Sequence, residues 1–144
     1  MSGTPARVLV LCTGNSCRSI MAEALVNQMG DGRFSAVSAG SRPTGQVHPG
    51  ALATLARHGI DPGEPRSESW DIYANEPFDY VITVCDSAAA ETCPAFPGRF
   101  QRLHWSIPDP AHVQGTPAEV EAAFEQAFAL LRTRIERELL AREG

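Results

Sequence analysis

The chain contains no lysine; all 12 of its basic residues are arginine. That absence excludes a Walker-type phosphate loop, which needs Lys, and the Schiff-base and pyridoxal enzymes, whose attachment point is a Lys amine. An anion bound here must be held by Arg or by backbone N–H groups. No G-x-G-x-x-G turn follows a strand, so the sequence gives no sign of a dinucleotide site, and no tightly bound cofactor is expected. No apolar run approaches the roughly 18 residues that suggest a membrane span. The opening Met1–Arg7 lacks the charged-then-apolar order of a secretion signal. The net charge is −5, and a mildly acidic chain is poorly suited to gripping a nucleic-acid backbone. A cytoplasmic protein is expected, with neither nucleic acid nor membrane as a partner. In that compartment the 4 cysteines are expected to be catalytic or metal-binding rather than structural disulfides.

What is present has a globular balance: 144 residues, 43% apolar and 20% charged, enough for one domain spanning 1–144. Arg7–Cys12, Phe34–Ala39 and Asp79–Cys85 read as buried strands, and Phe100–Trp105 as an edge strand. Ile20–Met29 and Pro49–His58 have helical periodicity, and Glu68–Ala74 reads as one or two helical turns. The last helix carries the strongest signal. Thr116-Pro117-Ala118-Glu119 is a capping box, followed by a stripe of Val120, Phe124, Ala127, Phe128, Leu131, Ile135 and Leu139. Strands alternating with helices predict an α/β three-layer sandwich built on a four-stranded parallel sheet, with ligands at the carboxyl ends of the strands.

The chemistry gathers at one such end. Cys12-Thr13-Gly14-Asn15-Ser16-Cys17-Arg18-Ser19 is Cys-x5-Arg-Ser between a strand and a helix. A loop of that length can turn its N–H groups inward over residues Thr13 to Arg18. Together with the helix N-terminus they form an oxyanion cradle. Arg18 closes the ring with its planar fork. Cys12 lies beneath the central atom of the anion, and the surrounding donors predict a thiol pKa lowered into the range of about 3.5–7.5. Ser19 is placed to donate to the Cys12 sulfur, whereas the Cys17 side chain is expected to face away from the anion. Cys85 ends a strand on the same sheet edge. Cys93 falls in the Pro-containing stretch Asp86–Gly98. Asp109 stands between Pro108 and Pro110, which fix its backbone. The four histidines show no partner at a telling spacing. Trp105 and Phe100 are expected to be packing residues.

The stretches VLCTGNSCRSIMAEA, VITVCDSAAAETCPAFPG and LHWSIPDPA, with Ser38-Ala39-Gly40, resemble the low-molecular-weight protein tyrosine phosphatase superfamily. Within it they look most like the thioredoxin-coupled arsenate reductases. The resemblance runs in order from about residue 7 to 112. Ile20 departs from it, where Gln is common, and the gap between Cys85 and Cys93 is one residue longer than expected.

The resemblance implies a low-molecular-weight phosphatase-like fold and reduction of arsenate to arsenite. By matching position, Cys12 is the nucleophile, Arg18 the oxyanion clamp and Asp109 the general acid. Cys85 and Cys93 form a redox relay regenerated by thioredoxin or a glutaredoxin. It also implies a potassium ion beside the loop, with Asn15, Glu23, Ser38 and Glu68 as the matching oxygen-bearing positions. The alternative is a phosphatase that hydrolyses phosphomonoesters through a cysteinyl-phosphate, for which Cys12, Arg18 and Asp109 suffice.

Overall fold

A computed structural model of the chain describes residues 5–85 and 100–141. Its frame is a four-stranded parallel sheet. The strands are β1 (Ala6–Leu11), β2 (Phe34–Ala39), β3 (Tyr80–Thr83) and β4 (Gln101–His104), in the spatial order β2-β1-β3-β4. The helices are α1 (Arg18–Gly30), α2 (Pro49–Arg57) and α3 (Pro117–Ile135), with short 3-10 turns at Trp70–Tyr73 and Pro110–His112. The expected α/β architecture is therefore the one observed.

Strand β1 sits at the centre because its Val8–Leu11 run has no polar side chain and can be buried on both faces. Alternation along the strands sends Val8, Val10, Tyr80 and Ile82 into a core with α1, α2 and α3, while Leu9, Leu11 and Val81 meet Trp70 and Phe78 on the other side. Helix α1 is buried at Ile20, Met21, Ala22, Ala24, Leu25 and Val26, so much of its circumference is apolar contact rather than a narrow stripe. Helix α3 starts at the predicted capping box: the Thr116 side chain accepts from the Glu119 N–H and the Glu119 side chain from the Thr116 N–H. It buries Phe124, Ala127, Phe128, Leu131 and Ile135, then widens into a π-turn at Glu136–Leu140 that still buries Leu139.

Two details of the sheet position the site. The chain order reverses between β1 and β3, so the carboxyl ends of these neighbours open a crevice at the topological switch point. Strand β3 is shorter than its sequence suggests: Val84 still donates to the Leu11 carbonyl at 3.0 Å, but Cys85 leaves the ladder there. The stretch 86–99, which contains Cys93, lies outside the described residues.

Candidate active site

The loop after β1 is held from the β2 side by one buried residue. Asn15 adopts a left-handed backbone (φ +46°), a conformation that Asn tolerates better than most residues. Its Nδ2 donates to Ser19 Oγ at 2.8 Å and Ser38 Oγ at 3.0 Å, and its Oδ1 accepts from the Glu68 N–H at 2.8 Å. Gly40 completes the support. A Cβ there would stand 2.3 Å from the Cys12 carbonyl and 2.4 Å from that of Thr13, so only glycine lets the end of β2 lie so close to the loop.

With the loop fixed, its donors are free for a ligand. The N–H groups of Gly14, Asn15, Ser16 and Cys17 have no acceptor among the described residues, and they lead directly into the N-terminus of α1. Successive unpaired N–H groups at a helix start favour an anion through both hydrogen bonding and the helix dipole. The Thr13 N–H, expected in the same set, instead donates to Cys85 Sγ at 3.3 Å.

Arg18, Cys17 and Asp109 meet on the other side of the loop. Arg18 Nη1 donates to the Ile107 carbonyl at 2.9 Å, Nη2 lies 3.3 Å from Asp109 Oδ2, and the buried Nε has no partner among the described residues. A buried guanidinium N–H left unpaired is costly, and an oxyanion oxygen would satisfy it. Asp109 accepts from the Ala111 N–H at 3.0 Å and from Cys17 Sγ at 3.6 Å. Burial and the neighbouring Asp109 charge push the Cys17 thiol up to about 11, so it stays a neutral S–H donor to the carboxylate. His112 Nε2 lies 3.3 Å from Asp109 Oδ2.

Cys12, the expected nucleophile, differs from its expected state. It is buried beside the Cys85 thiol. That thiol, followed by burial, raises the Cys12 pKa, and Arg18 opposes the rise. The prediction of a lowered pKa is therefore corrected for this conformation. The physical reason is that the neighbouring Cys85 thiol and burial outweigh the opposing charge of Arg18, whose fork is also engaged with Asp109 and Ile107. The expected bond from Ser19 to the Cys12 sulfur is likewise not formed among the described residues; the Ser19 hydroxyl accepts from Asn15 instead.

Beneath the loop lie the oxygen-bearing positions singled out for a cation. Ser38 Oγ donates to Glu23 Oε1 at 2.5 Å, and Tyr73 Oη donates to Glu68 Oε2 at 3.4 Å. Burial, reinforced by the charge of Glu68, pushes Glu23 up to about 6 even though Ser38 opposes it. Two carboxylates that disfavour each other's charge, beside the amide oxygen of Asn15 and the hydroxyl of Ser38, are a donor set suited to a hard cation. The residues present fit potassium.

Cys12, Arg18, Cys17, Asp109 and Cys85 thus converge on one crevice, and Asn15, Glu23, Ser38 and Glu68 converge beneath it. Cys93 falls in 86–99 and outside the described residues. Sequence reasoning, which finds no carboxylate partner for His112, misses this contact; the i,i+3 spacing from Asp109 within Asp-Pro-Ala-His is the available signal. It also misses that Cys17 reaches Asp109. His58 is misjudged in the same way, since its Nε2 lies 2.7 Å from Glu125 Oε1, remote in sequence. Trp105 is fully buried in the core, as expected of a packing residue.

A parallel sheet whose first strand delivers a cysteine into an anion-binding loop, closed by Arg and faced by Asp, defines a phosphatase-type thiol site. Residues 7–142 match the family model for low molecular weight phosphotyrosine protein phosphatase, and the chain belongs to that family. Among curated relatives it is 39% identical over 119 residues to an arsenate reductase of Halalkalibacterium halodurans, covering 83% of this chain and 84% of the relative. A solved arsenate reductase in a phosphate-binding state superposes with a TM-score of 0.76 at 25% identity, covering 96% of this chain and 99% of the other. A thioredoxin-dependent arsenate reductase of Corynebacterium glutamicum shares the fold, with a TM-score of 0.67 at 24% identity over 98% of this chain and 65% of the other.

Proposed function

We propose that the protein reduces arsenate to arsenite through Cys12, with a disulfide relay from Cys12 to Cys85 to Cys93. The observation that carries this reading is the place of the Cys85 sulfur at the oxyanion loop, where it accepts from the N–H of Thr13, the residue after Cys12, at 3.3 Å. A phosphatase needs a single nucleophile and has no use for a second thiol against it. The arsenate reductase relatives support the same assignment.

The proposed steps are as follows. Arsenate enters the loop, and the Arg18 fork turns from Asp109 and Ile107 to the oxyanion, which satisfies Nε. The Cys12 thiolate attacks arsenic, and Asp109 gives a proton to the departing oxygen, which leaves as water. The Cys85 thiolate then attacks the Cys12 sulfur. The electron pair of the sulfur–arsenic bond stays on arsenic, arsenite leaves, and a Cys12–Cys85 disulfide remains. Cys93 attacks Cys85 and frees Cys12, leaving a Cys85–Cys93 disulfide for an external dithiol. The reductant in this reading is a thioredoxin-type protein in a reducing cytoplasm, with glutaredoxin as the competitor. Potassium held by Asn15, Glu23, Ser38 and Glu68 would offset the paired carboxylates and so fix Asn15 beneath the loop.

A second reading is favoured by the pairing of Arg18 with Asp109 beside Cys12. These groups suffice for slow hydrolysis of an aryl phosphate through a cysteinyl-phosphate, alongside reduction. The deciding experiment is arsenate-dependent NADPH oxidation with thioredoxin and its reductase, with a glutaredoxin system in parallel. Turnover with one of them supports the reading. Aryl phosphatase activity with no arsenite formed by either system supports the alternative.

A further inference from the structure

We propose that His112 is a positioning residue for Asp109 that also supplies its proton, so that His112 rather than bulk water charges the acid once the oxyanion is bound. This rests on the reading of Asp109 as the general acid.

Among the described residues, three ionisable groups touch the Asp109 carboxylate, and they differ in what they can give. Arg18, 3.3 Å from Oδ2, cannot release a proton at any working pH. Cys17 donates to Oδ1, but its thiol is buried and pushed up to about 11, so it neither yields its proton readily nor regains one from solvent. His112 places Nε2 3.3 Å from Oδ2 while its side chain is 85% exposed, so it faces the carboxylate at one end and water along most of its surface. Imidazole is also the side chain whose charge ordinarily changes between about pH 5 and 8.

The backbone holds this arrangement in place. Asp109 caps the Pro110–His112 turn, its Oδ1 accepting from the Ala111 N–H at 3.0 Å, and the Asp109 carbonyl accepts from the His112 N–H at 3.2 Å. His112 is therefore carried back over the same carboxylate by one short turn. Helix α3 also packs against this turn. Its acids Glu119 and Glu121 are committed elsewhere, Glu119 to the Thr116 cap and Glu121 to Arg57 at 3.6 Å.

The proton balance closes without any other reactant. When Arg18 turns to the oxyanion, Asp109 keeps the contacts of Cys17, the Ala111 N–H and His112. The Nε2–H bond breaks as an Oδ2–H bond forms, and Asp109 passes that proton to the departing oxygen. The neutral imidazole then takes a proton from solvent. The prediction for pH follows in sign: the rate falls as pH rises through the ordinary imidazole range.

The test compares wild type, Asp109→Asn, His112→Gln and His112→Asn from about pH 5 to 9, spanning the imidazole range. Two readouts are used: p-nitrophenyl phosphate hydrolysis and single-turnover arsenite release. His112→Gln keeps a hydrogen-bonding side chain but has no proton to give. Expected is a loss of about tenfold in the rate of the chemical step below neutrality, a fraction of the 10²–10⁴ that a general acid supplies. KM should be unchanged, the alkaline limb should flatten, and added imidazole should restore the rate. A lost rate with the wild-type profile and no imidazole rescue assigns His112 a structural role and overturns the proposal. Wild-type kinetics in both His112 variants overturns it as well. Wild-type kinetics in Asp109→Asn would remove the acid assignment itself, and the proposal with it.

Discussion

The main-chain N–H of Thr13 donates to the sulfur of Cys85 at 3.3 Å, so the loop proposed to bind the anion also holds the proposed second thiol. An N–H donor favours negative charge on the sulfur it faces. The bond therefore holds the Cys85 sulfur against the residue that follows Cys12 in the loop.

The first prediction concerns the Cys12 and Cys85 thiols. Because the Cys85 thiol is the foremost cause raising the Cys12 pKa, Cys85→Ala should lower it and increase alkylation of Cys12 by iodoacetamide at neutral pH. A gain of about tenfold corresponds to one pH unit in the thiolate fraction. Peptide mass spectrometry reads it directly, and equal rates in the two proteins would sink the coupling.

Anion binding should oppose the same alkylation. Sulfate, phosphate or arsenate should protect Cys12, and Arg18→Ala should weaken the protecting anion by about ten- to a hundredfold, the range of a lost charge-assisted hydrogen bond. Alkylation rates insensitive to anion in wild type would show that the unpaired N–H groups of Gly14 to Cys17 do not form a cradle.

The relay should run in a fixed order. Without a reductant, wild type should release one arsenite per molecule and stop with a Cys85–Cys93 disulfide. Cys93→Ser should still release one and trap Cys12–Cys85; Cys85→Ser should release none. Disulfide mapping after a single turnover decides the matter, and a dominant Cys12–Cys17 product with full arsenite yield in Cys85→Ser would refute the order.

Glu23 makes a prediction about stability. Its folded-state pKa is raised from the ordinary 4.5 to about 6, so the folded state binds the proton more tightly than the unfolded chain does. The associated stabilisation is present below about pH 4.5 and is lost as pH rises through about 6. The loss amounts to about 2 kcal/mol by the linkage constant of 1.36 kcal/mol per unit. Glu23→Gln should therefore gain stability relative to wild type between those two pH values, as measured by urea denaturation at each pH. Potassium should stabilise wild type above pH 6 more than an equal ionic strength of a bulky cation, and should lose that advantage in Glu23→Gln. A wild-type-minus-variant difference that is flat with pH would remove Glu23 from the buried titrating groups.

Much of this was legible in the chain because strong local rules and burial agreed. The Thr116–Glu119 box set the start of α3, and the unbroken apolar run Val8–Leu11 set the central strand. The loop spacing placed Cys12 and Arg18 on one anion site. What sequence could not show depended on side-chain direction across elements. Whether the Thr13 N–H faces an anion or Cys85 is decided by where β3 ends, and Cys85 leaves the ladder earlier than its hydrophobic pattern suggests. Whether Arg18 faces Cys12 or Asp109 is decided by a loop 89 residues away that supplies the Ile107 carbonyl. The same dependence on distant packing turned the expected fall in the Cys12 pKa into a rise.

The Asn15 network has a further consequence. On the β2 side the loop is stitched down by buried amide and hydroxyl bonds to Ser19, Ser38 and Glu68, none of which takes part in the chemistry. On the β3 and β4 side it is tethered by the Cys85 sulfur, the Cys17–Asp109 contact and the Arg18–Asp109 ion pair. Anion capture or disulfide formation disturbs each of these three. The loop thus has a permanent seam and a consumable one. Each catalytic cycle unfastens the second while the first keeps the register, so the strand-end thiol can swing outward without the anion cradle losing its shape.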